Sequence, residues 1–177
     1  MTLLTRPDAY GTLIDPTTLK IQRLLPGPID RIWAYLTESD LRRQWLASGT
    51  MEMKVGAPVE LVWRNSELTD PPGNPPEGFG DEHRRTEEIT ELDPPRTLGI
   101  SWGETGGVTF ELEPKGTEVL LTVIHRWLPD RQTLLNVSAG WHAHLDVLAA
   151  RAAGREPVSF WDSWADLKSD YGKRLPA

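Results

Sequence analysis

Between Asp130 and Gly154 the sequence specifies one long helix, and that helix limits the folds able to enclose it. Asp130, after Pro129, is a good N-cap, and Gly154 a stop. Leu134, Ser138, Trp141, Leu145, Leu148 and Ala152 recur at alternating steps of four and three, laying one continuous apolar face along the helix. A stripe that long needs a broad apolar surface against it. The preceding residues supply a sheet.

From Gly49 onward the apolar period is two. Met51 and Met53 alternate with Glu52 and Lys54, and Val59, Leu61 and Trp63 with Glu60 and Val62, which predicts a hairpin turning at "VGAP". Four more strands are expected at "RRTEEITEL", "RTLGISW", "VTFELE" and "TEVLLTVIHRW", broken by "DPP", "GETGG" and "PKG". In the third, Val108, Phe110 and Leu112 oppose Thr109, Glu111 and Glu113, the pattern of a half-buried antiparallel sheet.

Upstream, "TTLKIQRLL" reads as a strand that "PGP" ends. "IDRIWAYLTE" then places Ile29, Ile32, Trp33 and Leu36 on one helical face. Ser39 is expected to cap a second short helix, "DLRRQWLA", with Leu41 and Trp45 buried. "NSELTDPPGNPPEGFGDEH" is a long Pro/Gly-rich loop spanning 64–83, with Phe79 its one large apolar residue able to dip into a core. "FWDSWADLKSDYGKRL" forms a last helix. Residues 1–17 are expected as an extended or poorly ordered lead-in, and 18–177 as a single α+β domain.

The chain of 177 residues is long enough to bury a real core and contains no apolar run able to span a bilayer, so membrane insertion is not expected. Its first residues do not read as a signal peptide, and a cytoplasmic setting is expected. Without cysteine, disulfides, thiolate metal sites and a cysteine nucleophile are excluded. A net charge of -7 argues against nucleic acid as a partner. Eight tryptophans imply a bulky core or a large-walled pocket.

This order of elements and its local motifs resemble the SRPBCC superfamily, and within it the family named for the activator of the heat-shock protein 90 ATPase. The matching stretches are "LKIQRLLPGPIDRIWAYLTESDLRRQWL", "VGAPVELVW", "EITELDPPRTLGISW", "GTEVLLTVIHRW", "AGWHAHLDVLAA" and the aromatic tail. The resemblance implies a START-like helix-grip fold: a curved antiparallel sheet of six to seven strands wrapped around the long C-terminal helix, with two short helices after the first strand. It also implies an apolar cavity between sheet and helix, without a defined chemistry.

Within such a cavity Trp102, Phe110 and Trp141 are the expected walls, joined by Leu121, Val123, Leu134 and Leu145. His125 is in phase with Leu121 and Val123, and Ser138 sits in the helix stripe, so either can orient a ligand. The run His142-Ala143-His144-Leu145-Asp146 looks like the start of a metal site. On a helix, however, His142 lies about 100° to one side of Trp141 and His144 about 60° to the other, so their rings diverge. A surface pairing of His142 with Asp146 is expected instead, with His144 at the cavity rim. Glu87, Glu88, Glu91, Asp93, Glu111 and Glu113 are expected on a solvated face, and Trp33 and Trp45 as buttresses. No phosphate loop, nucleophile elbow or zinc-protease motif occurs, and neither a metal, a cofactor nor a catalytic set is expected.

Three functions remain open. The first is binding of a small apolar or amphipathic molecule or lipid. The second is a co-chaperone-like module that docks on a chaperone. The third is a cyclase- or hydrolase-like enzyme acting through His125 and a pocket water.

Overall fold

The computed structural model describes residues 6–176. Of the expected lead-in, residues 1–5 lie outside the described residues, while Thr12–Asp15 forms a strand, β1. β2 (Thr18–Pro26) follows, then the short helices α1 (Ile29–Thr37) and α2 (Ser39–Arg42). β3 (Pro58–Trp63), β4 (His83–Asp93), β5 (Thr97–Trp102), β6 (Gly106–Lys115) and β7 (Glu118–Arg126) complete the sheet. The long helix α3 (Arg131–Ala152) and a second helix α4 (Phe160–Arg174) close the chain. All strand pairs are antiparallel, in the order β1-β2-β7-β6-β5-β4-β3. This is an α+β helix-grip fold, its curved sheet wrapped on α3. Among the described residues, no helix is long and apolar enough to cross a membrane.

Register turns the alternation into rows. Ile89, Ile100, Val108, His125 and Leu19 pair in sequence across β4, β5, β6, β7 and β2. Leu98, Phe110, Val123 and Ile21 form the next row. Both rows are buried beneath α3. The helix starts as its sequence requires, with the Thr133 N–H donating to the Asp130 carboxylate at 2.7 Å, and the chain leaves it through Gly154 at φ +70°.

Helix α3 is buried on more than its predicted face. Besides the stripe, Ala139, Ala143, Val147 and Ala150 are covered, because α4 packs on the side away from the sheet. The molecule therefore has three layers: sheet, α3, α4.

Three local expectations need correction. The hairpin around "VGAP" keeps only one strand, since Met51 and Ser48 make single bridges to Val59 and Val62 and Met53 is exposed. There the chain is held by Gly49, which donates its N–H to Ser39 Oγ at φ +126°, outside strand geometry. Ser39 is thus the first residue of α2 rather than its cap. On α2 the buried residue is Arg42, with Leu41 only half-buried. The Arg42 guanidinium donates to the carbonyls of Ala47 (3.0 Å), Leu36 (3.2 Å) and Gly49 (2.6 Å), and burial lowers its pKa to about 10, still leaving it charged at neutral pH.

Those carbonyls lose their partner in Arg42→Leu. Each buried orphan costs about 1–3 kcal/mol, so the variant is expected to lose roughly 3 kcal/mol or more in urea unfolding. A loss under about 1 kcal/mol would show that water or a shifted backbone replaces the guanidinium.

Candidate functional site

The groove between sheet and α3 is solid along part of its length and open along the rest. Leu121, Val123, Leu134, Ser138 and Leu145 lie in the tightly packed part, all buried. The Ser138 hydroxyl finds no partner among the described residues. Phe110, with Trp45 and Trp141, borders a void of about 10 Å³, space for roughly one water. Beyond Trp141 the layers separate around a cavity of about 550 Å³. Of the expected site residues, Trp102, His125 and Trp141 meet there.

The sheet wall consists of Trp63, His83, Arg85, Trp102 and His125. Helix α3 contributes Asn136, Gly140, Trp141 and His144, and α4 adds Phe160, Trp161, Trp164 and Lys168. Five of the eight tryptophans thus face one space. Their contacts are edge-to-face: Trp63 to Trp102 at 5.7 Å, Trp102 to His125 at 5.1 Å, Trp161 to Trp164 at 5.8 Å. Phe79 from the long loop does not enter the core. It remains 48% exposed and leans on Trp161 at 4.9 Å, at the cavity edge.

A hydrogen bond joins the two main layers inside this aromatic shell. The Trp141 indole N–H donates to His125 Nδ1 at 2.9 Å. Burial, with the charges of Arg126 and Arg85 adding to it, lowers the His125 pKa to about 3, so the ring is neutral. His144 donates from Nδ1 to the Trp45 carbonyl at 2.8 Å, stacks near Phe160, and burial lowers its pKa to about 4. At the rim the Arg85 guanidinium sits over Trp102 at 4.6 Å and Lys168 over Trp164 at 5.4 Å.

Glu87 is not on a solvated face. Its side chain is 7% exposed and accepts from Arg85 Nε (3.0 Å), Ser101 Oγ (2.8 Å) and the Gly103 N–H (3.0 Å). The pairing with Arg85 offsets its desolvation and neutralises that corner of the cavity. Glu111 and Glu113 are exposed, as alternation requires, and Glu88 and Glu91 are both exposed because the β4 register shifts between Ile89 and Glu91.

The imidazoles of the His-x-His-x-Asp run engage different partners. His142 packs away from the cavity, where the Tyr171 hydroxyl accepts from the Gly11 N–H and donates to His142 Nδ1 at 2.9 Å. Its Nε2 lies 3.5 Å from Asp146, which also pairs with Arg23 at 3.0 Å. The i,i+4 pairing is present with Asp146 at the surface, its side chain 43% exposed, while His142 lies beneath α4 and the lead-in at 5%. Burial lowers the His142 pKa to about 4 against the pull of Asp146.

The family model described as activator of Hsp90 ATPase homolog 1-like protein matches residues 26–153. The chain belongs to this family. No curated protein matched. A Bordetella parapertussis protein solved by solution NMR is 36% identical, with 98% of this chain and 97% of that one covered and a TM-score of 0.79. CalU16 from Micromonospora echinospora shares 20% identity over 88% of this chain and 86% of its own, with a TM-score of 0.65. DynU16, a protein in the dynemicin biosynthetic locus, shares 17% identity over 81% of this chain and 49% of its own, with a TM-score of 0.64. The last two are likenesses of fold. The match to the Bordetella protein extends over nearly the whole chain, so it includes α4.

Sequence reasoning missed Trp63, Arg85, Gly140 and the α4 wall. Only α4 carried a signal: Phe160, Trp161, Trp164 and Lys168 share a helical face at steps of one, three and four.

The three buried histidines generate a pH dependence. Their folded pKa values, about 3, 4 and 4, lie below the ordinary 6.5, so the unfolded chain binds more protons as pH falls. Stability is complete above about pH 6.5 and is lost progressively below it. Near pH 5 about three extra protons bind on unfolding, a slope of roughly 4 kcal/mol per pH unit. Urea titrations between pH 8 and 4.5 measure it, and a flat profile contradicts buried neutral rings.

Proposed function

We propose that this family member binds a small amphipathic molecule in the cavity between β4, β5, β7, α3 and α4. The observation that carries this reading is a partly open cavity of about 550 Å³ with five tryptophans on its walls and Arg85, Lys168 and Glu77 at its rim. The volume lies within the usual range for small-molecule sites, and the apolar walls with a few polar groups match their usual composition. Trp102, Trp141 and His125 are the contacts assigned from the expected set, with Phe110 supporting Trp141 from behind at 5.7 Å.

Gly140 adds independent support. Glycine inside a helix costs about 1 kcal/mol relative to alanine, and here nothing lies within 4 Å of where its Cβ would sit. Packing does not require it. The room it leaves belongs to the cavity.

The enzyme reading through His125 is less well supported, because a general base needs a free lone pair and the Trp141 N–H occupies that of Nδ1. The family name prompts the chaperone-docking reading, on which the geometry of the cavity does not bear.

Gly140→Leu separates cavity from fold. The variant is expected to melt a few degrees higher, since about 1 kcal/mol corresponds to roughly 2–4 °C at this size. It should also lose at least about tenfold in affinity for 8-anilinonaphthalene-1-sulfonate and long-chain fatty acids, followed by tryptophan fluorescence. If neither these probes nor a set of polycyclic aromatic ketones raises the melting temperature of the unaltered protein, the binding proposal fails.

A further inference from the structure

We infer that the cavity selects a neutral aromatic compound bearing both a carbonyl-type acceptor and a hydroxyl or N–H donor, the acceptor meeting His125 Nε2–H on the sheet and the donor meeting His144 Nε2 on α3. The inference rests on the binding reading above and adds the polarity of the ligand to it.

A neutral histidine is ordinarily ambidextrous, because its proton can sit on either ring nitrogen and a ligand of either polarity is accommodated. Here both rings are locked by partners that cannot exchange roles. An indole N–H donates only, so His125 Nδ1 keeps its lone pair and the proton resides on Nε2. A backbone carbonyl accepts only, so His144 Nδ1 keeps its proton and Nε2 holds the lone pair. The two rings are thus opposite tautomers. In each, Nε2 has no protein partner among the described residues, and both residues line the cavity.

One wall therefore presents a fixed donor and the facing helix a fixed acceptor. His144 stands three residues after Trp141, the residue holding His125, so their Cβ atoms are roughly 5–6 Å apart on α3. A ligand that fills the cavity meets both groups, since both residues line it.

Beside the two imidazoles charge does not compete with this selection, Lys168 and Glu77 standing at the rim. Both imidazoles are neutral near pH 7, and Arg85 is paired with Glu87 at 3.0 Å. Edge-to-face Trp102 beside His125 and the Phe160 ring beside His144 favour a flat aromatic body. A polar nitrogen left unmatched when a ligand displaces water costs about 1–3 kcal/mol, so each matched group is worth about tenfold or more in affinity.

The test uses the unaltered ¹⁵N-labelled protein and long-range ¹H–¹⁵N spectra of its histidines, assigned with His125→Gln and His144→Gln. At pH 7 His125 is expected as the Nε2–H tautomer and His144 as the Nδ1–H tautomer. The probes are 2-phenylnaphthalene, flavone and the 6-, 7-, 3'- and 4'-monohydroxyflavones, with occupancy read by tryptophan quenching. Flavone should bind more tightly than 2-phenylnaphthalene, and at least one hydroxyflavone about tenfold more tightly than flavone. That probe should shift both Nε2 resonances, and His144→Phe should erase the hydroxyl preference while retaining flavone. Identical tautomers, or Nε2 resonances unmoved by a probe that fills the cavity, overturn the inference and leave the binding reading standing. If none of these probes occupies the cavity while 8-anilinonaphthalene-1-sulfonate or a fatty acid does, this inference falls and the binding reading stands; if none of either set does, both fall.

Discussion

The bond from Trp141 to His125 is the constraint from which the rest of the site follows. It places a polar contact of 2.9 Å between helix and sheet, where each partner is at most 5% exposed. Neither partner can be left unmatched there without losing on the order of 1–3 kcal/mol, so the bond fixes the rotation and height of α3 over the sheet. It also divides the groove. On one side Trp141 meets Phe110 and the aliphatic rows close into solid packing. On the other, His125 turns its edge to Trp102, and the layers part around the cavity.

Helix α4 makes that cavity possible. Without it, the second buried face of α3 would be exposed and the opening would have no roof. Its far end is tied to the start of the chain through Tyr171, Gly11 and His142, and Tyr10 donates to Asp170 at 2.9 Å. Its near end is tied to the Pro/Gly-rich segment, with Phe160 N–H donating to Thr69 Oγ1, Trp161 N–H to the Pro72 carbonyl and Trp161 Nε1–H to Ser66 Oγ. Arg151 of α3 donates to the Leu68 carbonyl at 2.8 Å. The first part of the long loop is thus a strap under α4 that brings Asn65 to the cavity, and its later part, from Pro76 to Phe79, borders the cavity edge.

Periodicity made the fold legible. The step-four, step-three stripe placed α3 correctly, and the alternation of Val108, Phe110 and Leu112 gave the inward face of β6. Such patterns report which face a residue occupies, because burial repeats with the backbone period. They do not report where along a groove two layers touch and where they diverge. Leu121, Val123 and Leu145 have the same phase as His125 and Trp141, yet they pack solidly while the latter pair borders open space. That difference depends on the roof that α4 and the strap supply from elsewhere in the chain. Arg42 and Glu87 were illegible for a related reason. Their burial is stabilised by backbone carbonyls and by Arg85, Ser101 and Gly103, partners no local pattern announces.

The chain carries a net charge of -7, yet its cavity is nearly free of unbalanced charge deep inside. Two histidines are held neutral by burial, and Arg85 is matched by Glu87. Lys168 stands at the rim against Trp164. A pocket of this kind cannot discriminate by Coulombic attraction, which in a partly solvated site would also be screened by salt. Its specificity has to come from shape and from the direction of hydrogen bonds. Direction is fixed only where a ring nitrogen is denied its alternative tautomer, and the structure does this twice with partners of opposite polarity, an indole N–H and a backbone carbonyl. The histidines that first resemble metal ligands thus acquire separate physical roles. His142 ties α3 to α4 and the lead-in, and His144, with His125, gives an apolar cavity its polarity.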